Sequence, residues 1–299
     1  MQVAPPFLQN LYPFSSHFTQ VHGFAMHYVD EGTGPLVLCL HGNPTWSFYF
    51  REVVKTLSPQ YRVLAPDHIG MGLSDKPHPG KHPHTLMQRV SDMEAFLEAV
   101  APGTPLHLLV HDWGGMIGTL LALRQPHRIL SLTITNTAGF LKPAHKKLPL
   151  RIRLGRDVLP IAAPAILGLN LFARAALWFC SKKGLDPVIR KAYLFPYGRP
   201  AHRRAHLAFV QDIPLKPEDS AYAAVAWAEK NLPLLAPIPK CLLWGEKDFV
   251  FDTEYRDLWK QHFPEAVCHS FPQAGHYLFE DETQACMTIL KDFLSHQGS

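Results

Sequence analysis

Val110-His111-Asp112-Trp113-Gly114-Gly115 sits between an apolar run, Leu106 to Val110, and a small, helix-compatible run, Met116 to Leu123. That succession spells a strand, a sharp turn and a helix. A turn of this kind is a nucleophile elbow: it lifts one side chain above the end of a sheet, and a glycine two residues on, here Gly114, lets the backbones pass closely. Val110 occupies a position that is usually small. The side chain lifted is that of Asp112. A carboxylate is ionised at neutral pH without help, its ordinary pKa being about 3.9, so it can attack an electrophilic carbon directly. The product is an ester on the enzyme's own side chain, which water must then cleave.

Water needs a base. Gly275-His276-Tyr277 offers one after the strand-like Ala266 to Phe271. Asp248, in the turn that closes the short apolar run starting at Cys241, is the acid that would orient it, with Glu246 ranked behind because it lies less deep in that loop. A further strand runs to Leu40 and opens into His41-Gly42-Asn43-Pro44-Thr45-Trp46. The backbone N–H groups of Asn43 and Trp113 would form a donor pair for oxygen charge that develops on the Asp112 ester. The Asn43 amide and the Trp113 indole N–H add two donors beside the departing group.

Outside these motifs, strands and helices alternate. Phe18 to Asp30, the turn Glu31 to Gly34 and the strand ending at Leu40 suggest an opening hairpin. Then come a helix around Phe50 to Leu57, a strand Tyr61 to Ala65, a helix around Thr85 to Val100 and the strand before Asp112. The fold class expected is α/β: a mainly parallel sheet with helices on both faces and ligands at the carboxyl ends of the strands. The alternation stops after Leu132 to Asn136 and resumes only at Cys241, too long a gap for a loop. Residues 139–230 are therefore expected as an inserted helical cap, with 1–138 and 231–299 as the core. Within the cap, Val158 to Cys180 is strongly apolar but broken by Pro160, Pro164, Asn170 and Arg174, which favours helices buried against the core over a membrane span. That face could also line a tunnel for alkyl chains or touch a membrane surface. Trp178, Phe179, Tyr193, Phe195, Tyr197, Phe209 and Trp227 suit an apolar pocket.

With 47% hydrophobic residues the chain can bury a large core, and a net charge of +4 with scattered Lys and Arg suggests no nucleic-acid partner. Five widely spaced cysteines, Cys39, Cys180, Cys241, Cys268 and Cys286, fit reduced, buried thiols in a cytoplasmic protein, and Met1 to Phe14 lacks the pattern of a cleaved signal. His78, His82, His84, His202 and His206 accompany no zinc-protease signature and are expected at the surface. No metal or cofactor is needed.

His41-Gly-Asn-Pro-Thr-Trp46, Pro66-Asp-His-Ile-Gly-Met-Gly-Leu-Ser-Asp75 and His111-Asp-Trp-Gly-Gly115 resemble the haloalkane dehalogenases of the α/β-hydrolase superfamily over nearly the whole length. The resemblance implies that Asp112, Asp248 and His276 form a triad and that Asn43 and Trp113 hold a halide. Epoxide hydrolases share the aspartate elbow but generally lack an asparagine at the position of Asn43 and use cap tyrosines. Closer still is the similarity to the β-lactone decarboxylases of bacterial long-chain olefin biosynthesis, carried by Pro66 to Pro77, Ile134-Thr-Asn-Thr-Ala138, Arg190-Lys-Ala-Tyr-Leu-Phe-Pro-Tyr197 and Gln211-Asp-Ile-Pro-Leu215. It implies a cis-3,4-dialkyl-oxetan-2-one split into carbon dioxide and an alkene, and neighbouring enzymes of an olefin-forming assembly. Hydrolysis of alkyl halides is the alternative; epoxide hydrolysis, or a hydrolase-fold protein without catalysis, stands behind both.

Overall fold

The structure is a computed structural model that describes residues 5–297. Eight strands form one sheet: β1 (His17–Val21), β2 (Phe24–Glu31), β3 (Leu36–Leu40), β4 (Arg62–Pro66), β5 (Leu106–His111), β6 (Ile129–Thr135), β7 (Lys240–Gly245) and β8 (Val267–Phe271), in the order β1-β2-β4-β3-β5-β6-β7-β8. Pairs β1–β2 and β2–β4 are antiparallel and the rest parallel. The central strands read Leu-Val-Leu-Cys-Leu and Leu-His-Leu-Leu-Val-His, and every residue of both is buried. Continuous apolar runs are what strands covered on both faces require.

The opening hairpin differs from the sequence expectation. Its turn is His22-Gly23, both at positive φ, and β2 pairs with β4 rather than with β3. The tight turn lies inside the alternating stretch, where Gly23 supplies the left-handed conformation at no steric cost.

The core helices are α1 (Arg51–Leu57), α2 (Leu86–Val100) and α3 (Trp113–Arg124), followed between β6 and β7 by α4 (Leu150–Asp157), α5 (Leu159–Ala163), α6 (Leu171–Phe179), α7 (Pro187–Leu194), α8 (Arg204–Gln211) and α9 (Tyr222–Asn231), and then by α10 (Thr253–His262), α11 (Leu278–Asp281) and α12 (Thr283–Ser295). Helix α1 packs on α12, while α2 and α9 flank α3. So α9, inside the 139–230 insertion of the sequence reading, lies along the core helix that starts at the elbow. Helices α4 to α8 stand at the carboxyl ends of the strands.

Two further expectations need correction. The apolar stretch from Val158 to Cys180 is not simply buried: Ala162, Ile166, Ala173, Ala176 and Leu177 face inward, but Leu159, Ile161, Leu169, Leu171 and Trp178 are exposed. Among the described residues no single helix is long and apolar enough to cross a membrane; the pair Leu159–Gly168 and Leu171–Phe179 passes that test together, bent by 78°. The histidines also depart from the surface assignment. His82, His84 and His206 are buried, because α8 closes over the loop before α2 and Asp92 accepts from His82 Nε2 at 2.8 Å.

Candidate active site

Asp112 follows the last residue of β5 and precedes the first of α3, with φ 51° and ψ −128°. Such a conformation is costly for a non-glycine residue, of order 1–3 kcal/mol, and persists only where the surroundings over-determine it. They do so here. A Cβ at Gly114 would lie 2.0 Å from the Leu40 carbonyl oxygen, so α3 can approach β3 only with glycine at that position. The bulky Val110 is accommodated from the same helix: Gly118 faces it, and a Cβ there would lie 2.5 Å from Val110 Cγ1.

Each carboxylate oxygen of Asp112 has a neighbour. Oδ1 accepts the backbone N–H of Asn43 at 2.7 Å, and Oδ2 lies 3.5 Å from His276 Nε2. On the far side of the imidazole, His276 Nδ1 is 2.7 Å from Asp248 Oδ2. Asp248 Oδ1 accepts from Val250 N at 2.7 Å. The structure thus brings Asp112, His276 and Asp248 into one line from three separate strand ends. Glu246 is elsewhere, paired with Arg256 at 2.7 Å.

Burial works against a charged His276, but Asp248 first and Asp112 next favour its imidazolium and raise its pKa from 6.5 to about 10. The imidazolium therefore sits between two carboxylates. The loop that carries it is fastened by Asp281, which accepts from Gly275 N at 2.7 Å and from Ser181 Oγ at 2.6 Å. Tyr277 N donates to the carbonyl of Cys180, which caps α6 (2.8 Å).

Asn43 also donates from Nδ2 to the His206 carbonyl at 3.1 Å, which ties the loop after β3 to α8. Trp113 packs on Phe209 of the same helix, ring centroids 5.2 Å apart. Together with Asp112 and His276, Asn43 and Trp113 line a cavity of about 420 Å³. Its walls are apolar, formed by Phe140, Ile152, Leu154, Ile161, Ile166, Phe172, Val210, Phe249, Phe251 and others. Of the aromatics singled out from sequence only Phe179 lines it; Trp178 and Trp227 face outward, while Tyr193 and Tyr197 are buried against the core. Phe140, Phe249 and Phe251 escaped notice because they sit in loops after β6 and β7, where no periodicity marks a wall. Among the described residues no group of three or more His, Cys, Asp or Glu could hold a metal ion.

Residues 35–283, which carry the Asp112 elbow, the Asp248–His276 pair and the glycine-held approach of α3 to β3, match one family model, the alpha/beta hydrolase fold. The chain belongs to the α/β-hydrolase fold family. It is 41% identical over 96% of its length to a cis-3-alkyl-4-alkyloxetan-2-one decarboxylase of Shewanella oneidensis, covering 91% of that protein. It is 32% identical to a haloalkane dehalogenase of Mycobacterium marinum, over 91% of this chain and 92% of that one. The crystal structure of an ancestral haloalkane dehalogenase superposes with a TM-score of 0.82 at 25% identity, over 93% of this chain and 98% of that one. This α/β-hydrolase thus lies among relatives of two chemistries.

Proposed function

We propose that this α/β-hydrolase is a decarboxylase of cis-3,4-dialkyl β-lactones, releasing carbon dioxide and a long-chain alkene. The observation that carries the reading is Asp112, held by Asn43 N–H and His276 at the floor of an apolar cavity. The identity to the decarboxylase, greater than that to the dehalogenase, supports the lactone as substrate.

A balanced route follows from the geometry. Asp112 attacks ring carbon 4, and the C4–O bond breaks, leaving an ester on Asp112 and a free carboxylate on the neighbouring carbon. That carboxylate then departs as carbon dioxide; its C–C electrons form the alkene and expel the Asp112 carboxylate. No water enters and no proton is consumed. His276, held as an imidazolium by Asp248, stabilises the carboxylate each time Asp112 is released. Asn43 and Trp113 flank the oxygen that leaves carbon 4, and the apolar walls take the alkyl arms. Residues 139–230 serve as the cap that builds those walls, and the widely spaced, mostly buried cysteines suit a reducing cytoplasm. Other enzymes that supply the lactone would be its neighbours. The same carboxylate could displace halide from an alkyl halide, in which case water and a neutral His276 must cleave the ester.

The test is an assay of a long-chain cis-β-lactone beside long 1-haloalkanes. Gas chromatography of the extract should show the alkene, with rates falling as the alkyl arms are shortened. Survival of the lactone alongside halide release at useful rates would overturn the reading in favour of dehalogenation.

A further inference from the structure

The near-neutral charge of the chain hides a division. Residues 140–211 hold 14 Lys and Arg against 2 Asp and Glu, whereas the whole chain has 29 against 25. The same segment holds most of the exposed large apolar side chains: Leu159, Ile161, Leu169 and Trp178 are all at least 50% exposed, and Leu150 stands with them. Trp178 carries the Arg190 guanidinium over its ring at 3.9 Å, an apolar body with a cationic edge. Leu154, Ile161 and Leu171 are exposed and also line the catalytic cavity, so the cavity opens through this patch.

We propose that this face, led by the bent pair of α5 and α6, docks on an anionic lipid bilayer surface. Apolar side chains backed by Lys and Arg are what lie at the boundary between headgroups and acyl chains. Lys146 is paired with Asp252 and Glu254, Arg156 with Asp219 and Lys183 with Glu282, and the exposed Arg153, Arg174 and Lys182 are left to complement anionic phospholipid. A protein partner seated on the same patch would cover the cavity mouth, whereas fluid lipid is itself a solvent for an alkyl substrate and its product. The route this gives the substrate rests on the reading above; the docking does not.

The test is flotation of the full chain, without substrate, with vesicles of phosphatidylcholine and phosphatidylglycerol and with vesicles of phosphatidylcholine alone. The protein should float with the former, remain largely below with the latter, and be released in part by high salt. Leu159→Glu/Leu169→Glu/Trp178→Ser, checked for folding by circular dichroism, should lose flotation. Arg153→Glu/Arg174→Glu should lose the preference for phosphatidylglycerol. Wild-type protein that stays below with both vesicles, or a triple variant that floats as well as wild type, overturns the proposal. So does a discrete lipid-free oligomer without flotation, dispersed by the triple variant, which would make the patch a protein interface.

Discussion

Asn136 donates its side-chain N–H to the same oxygen of Asp248 that faces His276, Oδ2, at 3.1 Å. Asn136 also accepts from Gly245 N at 2.8 Å and donates to Gly245 O at 3.0 Å, so one amide locks the end of β7 and aims the acid that leaves it. It does so without adding a charge beside Asp248.

Asp248→Asn should therefore lower kcat by about 10⁴-fold, since an amide neither holds the imidazole in its tautomer nor stabilises its charge. Asn136→Ala should cost less, about 1.5–3 kcal/mol, the worth of one hydrogen bond to a charged group. Saturation kinetics on both variants check this; equal losses would contradict the ordering.

Asp112→Asn should abolish turnover with the fold intact, an amide of the same shape being a poor nucleophile. Intact-mass spectrometry must exclude deamidation. On the dehalogenase alternative, the same measurement on His276→Gln after incubation with an alkyl halide should show the trapped ester.

Titration of His276 gives a prediction with a definite sign. Its folded pKa, about 10, exceeds the ordinary 6.5, so its contribution to stability is fully present below about pH 6.5 and is lost as pH rises through 10. Wild-type Tm should fall more steeply from pH 7 to 10 than that of His276→Gln. Asp112→Asn removes one partner that raises this pKa, and imidazole NMR should show it titrating lower.

Asn43→Ala keeps the backbone N–H on Asp112 and deletes the side-chain amide. If that amide stabilises the departing oxygen, the loss should be about 2.7–4 kcal/mol in kcat, as for removal of one donor from an oxyanion site. An unchanged kcat would leave the Asn43 side chain only its bond to the His206 carbonyl.

Asp67, at the end of β4, is the stability test. It accepts from Ser47 N and Leu73 N at 2.7 Å each and from His27 Nδ1 at 2.8 Å, all buried. Burial opposes its charge, yet His27 and these donors hold its carboxyl well below the usual range. That stabilisation is present above the ordinary carboxylate pKa and is lost as pH falls through the depressed one. Asp67→Ala should cost about 3–5 kcal/mol in urea unfolding, with little of it recovered by apolar packing.

The sequence made the sheet and the elbow legible because both rest on local signals: unbroken apolar strands and a carboxylate beside Gly114. Asp248 could be ranked above Glu246 from its depth in the loop alone. Burial of His82, His84 and His206 could not be read, since it depends on where α8 lands after a long insertion. The outward face of α5 and α6 was misjudged for a related reason: an apolar run tells that a surface wants cover, not what covers it. The basic excess of the insertion was present in the sequence and was averaged away by an acidic remainder.

The hydrogen bond from Tyr277 N to the Cys180 carbonyl joins the last turn of α6 to the loop of His276. Those two segments, 97 residues apart in the chain, are clasped together, with Asp281 tying Gly275 to Ser181 beside them. Swinging the α6 side of the mouth outward would drag the imidazole off Asp112. Breathing that admits a long chain without disarming the centre is thus left to α4 and α5, whose Leu154 and Ile161 also line the cavity. Hydrogen exchange should find α4 and α5 opening well before the Cys180 to Tyr277 clasp.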